Sequence, residues 1–119
     1  MQRQTMNKTG AKAKNDLLPG TLEMLILKAL SIEPMHGYGI AQHLQMRSAD
    51  VLAIEEGSLY PALQRMLVKR WVSAAWRISA NNRRARFYTL TTAGRTQLGI
   101  EESRFAQMFG AIRRVMKTT

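Results

Sequence analysis

Few residues in this 119-residue chain are spaced to do acid–base or metal chemistry. Glu55 and Glu56 are adjacent, so on a helix their carboxylates diverge, and neither a nucleophile nor a phosphate-cradling loop accompanies them. Their expected role is a negative charge at the start of a helix, where the dipole favours it. His36 and His43 stand seven residues apart, about two helical turns, with no carboxylate cluster to complete a ligand set. The chain has no cysteine, hence no disulfide and no thiolate metal site. No catalytic residue, metal or cofactor is expected, and the chain does not read as an enzyme.

The chemistry it does offer is cationic. Eighteen Lys and Arg oppose eight Asp and Glu, for a net charge of +10. From Gly57 to Ile100 there are eight basic residues and no acid: Arg65, Lys69, Arg70, Arg77, Arg83, Arg84, Arg86 and Arg95. Solvated faces normally mix the two signs, so a one-sign stretch of this length points to a polyanion, with nucleic acid first and an anionic membrane surface second. No apolar run approaches the roughly 18 residues that span a bilayer. The polar, basic opening lacks the apolar core of a secretory signal, and a cytoplasmic location is expected.

The elements that must position these charges follow from the apolar pattern. Residues 1–16 read as a flexible basic arm. "LLPGTLEMLILKALSI" is a helix apolar on most faces after Thr21, its expected cap, so it must be covered on most faces, being either central or shared with a partner chain. A second helix spans about 37–46, followed by a loop, "RSADVLAI". "EEGSLYPALQRM" opens a third helix, with Ser58 expected as N-cap and Pro61 in the first turn, where a missing N–H does no harm. At 100° per residue, Leu59, Leu63, Met66 and Leu67 share the inner face. Pro61, Gln64, Arg65 and Val68 point outward, with Lys69 on the flank and Tyr60 at the border.

"WVSAAWRI" alternates Val72, Ala74, Trp76 and Ile78 on one face, a strand pattern. "SANNR" is a turn, and "RARFYTL" a second strand with Arg84, Arg86 and Tyr88 on one side. Together they form a hairpin with a cationic tip, in which Trp71 and Trp76 are expected to pack as core. "TTAG" begins a last helix of about 25 residues. Along it Leu98, Phe105 and Ile112 recur every seven, with Met108 or Phe109 and Val115 or Met116 between them. The eight methionines read first as core.

Three helices and a basic hairpin define a mainly α (α+β) fold: a winged helix-turn-helix with a β-hairpin wing and a long C-terminal dimerisation helix. The expected organisation is the arm over 1–16, the winged domain over 17–91 and the dimerisation helix over 92–119. "LLPGTLEMLILKALS", "HGYGIAQHL", "EEGSLYPALQRM" and "NNRRARFYTLTTAG" resemble PadR-family transcriptional regulators of the short subgroup, from about Leu17 to Gly94. The resemblance implies a homodimeric repressor on a double-stranded DNA operator, with a small-molecule effector of unknown identity. It implies base or phosphate contacts from Ser58, Tyr60, Pro61, Gln64 and Arg65, which phasing extends to Lys69, and wing contacts from Asn82, Arg83, Arg84 and Arg86. It also implies that the last helix pairs with its mate and with the first helix, through Leu25, Leu98, Phe105, Met108, Phe109, Ile112 and Met116.

One position departs from the family pattern. Arg70 stands where a glycine usually ends the third helix in the left-handed conformation, so either a modest backbone cost or a different helix end is expected there. Two other classes share parts of the pattern. A non-sequence-specific RNA- or nucleoid-binding module has the charge, and "RFAQMFGAIRRVMK" has the amphipathic face of a membrane-surface helix.

Overall fold

The computed structural model describes residues 20–117, so the basic arm expected over 1–16 lies outside the described residues. The first helix, α1 (Thr21–Leu30), starts at Thr21 instead of being capped by it. Gly20 precedes it at φ 87°, a left-handed conformation that glycine takes without a Cβ clash. Of the two positions its composition allows, α1 takes the central one. Ile26, Leu27, Ala29 and Leu30 are buried, and the helix packs against all three other helices and the sheet.

A two-residue strand, β1 (Met35–His36), and α2 (Gly37–Arg47) follow. The strand is too short to leave a sequence period, yet it adds a third strand to the wing by pairing Met35 with Tyr88 and His36 with Phe87. His36 also caps α2, its Nδ1 accepting from the Gly39 N–H at 3.0 Å. That is a helix-capping role for a residue considered above only as a metal ligand. Ala49 and Asp50 then take successive left-handed conformations, φ 53° and 67°, and turn the chain toward the third helix. The turn is held by Asp50 N–H donating to the Gln45 carbonyl at 2.8 Å and by Leu52 N–H donating to Ser48 Oγ at 3.0 Å.

The third helix, α3 (Glu56–Val68), buries Leu59, Ala62, Leu63 and Met66, with Leu67 partly covered against the same core. It ends in a Schellman motif: Arg70 N–H donates to the Leu67 carbonyl and Trp71 N–H to the Met66 carbonyl, both at 3.0 Å. Arg70 sits at φ 64°, the strained one of the two expected arrangements. A left-handed non-glycine residue costs roughly 1–2 kcal/mol, partly offset by the unfolded-state freedom glycine would add. Arg70→Gly is therefore expected to stabilise the fold by about 0.5–1 kcal/mol. A higher urea midpoint at unchanged slope is the check.

Strands β2 (Val72–Ile78) and β3 (Arg84–Leu90) pair from Val72 with Leu90 to Ile78 with Arg84, giving the sheet order β1-β3-β2. Asn82 takes φ 63° in the connecting turn, as its side chain tolerates. Within the hairpin, Val72 and Tyr88 at its base and Ser79 in the connecting turn are buried. Trp71 packs partly against the core, as expected. Trp76 does not: it is 58% exposed, because β2 beyond Ala74 runs out past the helices. The period of two places its face correctly, but that face opens on a cleft toward α2 and α3 instead of packing on them.

The last helix, α4 (Thr92–Met116), has 25 residues and a length of about 37 Å. Thr91 caps it by accepting from the Gly94 N–H at 3.0 Å. Thr91 also fastens the helix to the wing's base. Its N–H donates to the Trp71 carbonyl at 3.1 Å, and its hydroxyl lies 2.7 Å from the Arg70 carbonyl and 3.0 Å from that of Trp71. The start of α4 packs on α1, burying Leu98 in the chain's own core. Beyond it, Phe105, Met108, Phe109, Ile112, Val115 and Met116 are exposed.

Candidate nucleic-acid interface

The outer face of α3 is the one the phasing predicts. Pro61, Gln64, Arg65, Val68 and Lys69 surround a shallow hollow of about 380 Å³. The helix start, however, differs from expectation. Glu55, extended at φ −84° and ψ 153°, is the N-cap, and its carbonyl accepts from the Ser58 and Leu59 N–H groups at 3.0 and 2.9 Å. Ser58 lies within the first turn and caps nothing. Pro61 thus stands in the second turn and offers no N–H to the Gly57 carbonyl four residues back. Gly57 is exposed, so water can satisfy that carbonyl. Ser58 and Gln64 are exposed on the same helix.

Two side chains of α3 are anchored in ways that their sequence positions do not reveal. Arg65 Nε donates to Glu23 Oε2 on α1 at 2.9 Å, with Glu23 only 14% exposed and Arg65 55%. A carboxylate 42 residues away thus fixes the plane of the guanidinium, which retains donors on both Nη atoms. The Tyr60 ring packs so closely on Gly37 that a Cβ there would overlap it. Burial, reinforced by Glu56 and Tyr88, raises the Tyr60 pKa above its ordinary value. At neutral pH the phenol keeps its proton and can donate to a phosphate oxygen. Lys69 closes the helix with its Nζ 4.5 Å from the centre of the Trp71 ring.

On the wing, the guanidinium groups stand over aromatic rings. Arg84 lies 4.7 Å from the Trp76 ring centre, Arg86 5.9 Å from that of Tyr88, and Arg77, on the opposite face, 4.5 Å from that of Phe87. Asn82 and Arg83 occupy the exposed turn. Between the wing and the start of α2 runs a cleft of about 630 Å³, lined by Tyr38, Tyr60, Trp76, Arg83, Arg84 and Arg86 among others. Tyr60 is the α3 residue that shares this cleft with the wing arginines.

The residues expected to dimerise divide into two groups. Leu98 is buried within the chain and Leu25 is half-buried against its core. Phe105, Met108, Phe109, Ile112 and Met116 are between 46% and 76% exposed. The rings of Phe105 and Phe109 stack with centres 5.8 Å apart. A groove of about 260 Å³ joins the near end of this stripe to Met24 at the start of α1.

A helix-turn-helix followed by a three-stranded wing defines the class: a winged-helix protein with an added C-terminal helix. The chain belongs to the transcriptional regulator PadR-like family, whose model matches residues 26–100; members of this family are transcriptional regulators and not enzymes. It is similar to a PadR-like transcription factor from Bacteroides fragilis, at 29% identity and a TM-score of 0.66 over 81% of this chain and 90% of that one. It is also similar to a PadR family transcription regulator from Clostridium difficile, at 26% identity and a TM-score of 0.69, covering 82% and 99%. A transcriptional regulator from Clostridium thermocellum shares the fold with a TM-score of 0.75 at 19% identity, covering 82% and 95%. Among the described residues no helix is long and apolar enough to cross a membrane.

Proposed function

We propose that this chain is a sequence-specific DNA-binding repressor that works as a homodimer in the cytoplasm and is released from its operator by a small molecule. The observation that carries this reading is the pairing of one outward α3 face, Pro61, Gln64, Arg65 and Lys69, with a wing bearing Arg83, Arg84 and Arg86. A major groove about 12 Å wide admits one helix, whose outward side chains meet base edges. Gln64 is the base reader, since its amide can both donate to and accept from adenine. Ser58 and Tyr60 at the leading end of α3 donate to phosphate, as do Arg65 and Lys69. Asn82 and the three wing arginines track the adjoining backbone.

In this reading, residues 17–91 are the reading head and 92–119 the dimerisation arm. The exposed stripe from Phe105 to Met116 on α4 supports that division, because a solvent-facing apolar stripe on a long helix has a second copy as its natural cover. Leu25 flanks the contact and Leu98 supports it from beneath. An effector at or beside this contact would shift the spacing of the two heads and so select a non-binding population.

Band shifts with excess random competitor test the reading. Gln64→Ala should change sequence preference, with about 1–3 kcal/mol lost in discrimination at one base position. Arg84→Ala should weaken all duplexes alike and lower the slope of log affinity against log salt by about 0.9. An unchanged preference in Gln64→Ala would instead favour a non-sequence-specific basic module.

A further inference from the structure

The wing carries an aromatic ring that its own fold leaves uncovered. Trp76 is 58% exposed, although a tryptophan placed against a core would remove a large apolar area from water. The ring is nonetheless held in place. Arg86 is its cross-strand partner, and the Arg84 guanidinium stands 4.7 Å from its centre. It faces the 630 Å³ cleft, with Tyr38 and Tyr60 also in the lining. Tyr38 is 66% exposed, and its hydroxyl accepts from Gln42 Nε2 at 3.2 Å. Three rings from α2, α3 and β2 thus line one space together with Arg83, Arg84 and Arg86. The lining contains no aspartate or glutamate among the described residues.

This combination fits an alternating apolar and anionic polymer better than a compact anion. The sugars of a nucleic-acid strand present C–H faces that pack on rings, and its phosphates recur between them for arginines to meet. Position also matters, because a helix lying in a major groove has a phosphate strand on each side. The cleft is lined by the wing and by Tyr60 of α3, so a strand flanking that helix on the wing side would pass it.

Resting on the DNA-binding reading above, we propose that this cleft holds one sugar–phosphate strand of the duplex and that Trp76 is the surface on which its sugars pack. Arg84 and Arg86 then meet the flanking phosphates, and Arg84 keeps the indole in position before DNA arrives. The contact is independent of sequence, so it adds affinity without specificity.

The chain contains two tryptophans, which makes the test direct. The full chain is labelled with 5-fluorotryptophan, and W76F identifies the fluorine line of Trp76. A mixed-sequence duplex is then added at low salt, where the sequence-independent term suffices for binding. The Trp76 line should shift at the same midpoint as the band shift. W76A should lower affinity for that duplex about fivefold, the scale of removing roughly 40 Å² of apolar ring from water, while its melting temperature stays unchanged. If the duplex binds but the Trp76 line stays still and W76A binds as tightly as wild type, the cleft proposal falls and the DNA-binding reading stands. If inorganic phosphate alone moves the line as far as the duplex does, the cleft is a small-anion site and the proposal is overturned. A wild-type chain that binds no duplex under these conditions overturns both.

Discussion

Phe105→Glu is expected to produce a monomer whose affinity for a two-half-site operator falls by a factor of about 10² or more, the usual loss when two linked contacts become one. Phe105 is 47% exposed on the single chain and stacks on Phe109, so its remaining surface is available to a partner. In a two-fold contact the substitution enters twice, and each carboxylate must be stripped of water to enter an apolar stripe. The reading head should be unaffected, because the chain's own core reaches along α4 only to Leu98. Sedimentation with and without DNA, beside band shifts on one-half-site and two-half-site duplexes, measures both consequences. A monomeric variant that holds the two-half-site duplex as tightly as wild type would remove the two-fold model.

Gly94→Ala should destabilise the chain by about 3 kcal/mol, the upper part of the range for overpacking. A Cβ at Gly94 would overlap the Trp71 carbonyl oxygen and come within 2.7 Å of Leu90 Cδ1. The obstacle is backbone, and that carbonyl is already engaged by the Thr91 N–H at 3.1 Å. Relief therefore requires α4 to shift relative to the foot of β2. The urea midpoint should drop sharply, and, if α4 spaces two reading heads as proposed, residual folded protein should bind operator less tightly. A midpoint within experimental scatter of wild type would show that this junction is looser than its geometry indicates.

The sequence was most informative where local chemistry decides the structure. The outward face of α3 follows from a 3.6-residue period, which survives the shift of the helix start from Ser58 to Glu56 because phase does not depend on the boundary. Arg70 stood out through the resemblance, as a position usually held by glycine, and the asparagines of "SANNR" marked a turn because Asn tolerates the left-handed region. What the sequence hid is long-range or too short to repeat. β1 has two residues and no period. The Glu23–Arg65 pair joins positions 42 apart, and Glu23 alone reads as a favourable first-turn charge. Trp76 follows its strand's alternation, but alternation gives a face and not what covers it. Ser58 has the side chain of a good cap, yet the extended backbone at Glu55 begins the helix a turn earlier. Leu98 shares the seven-residue repeat of the exposed stripe, although α1 has already covered it.

Selection of bound duplexes from a random DNA pool tests the central claim most directly, because it reads specificity, symmetry and spacing together. Two α3 helices presented by one dimer predict a pseudo-palindromic consensus, with half-site centres about 10 bp apart or a multiple of that. A pool that stays random after repeated rounds, or a consensus with one half-site and no inverted repeat, would contradict it.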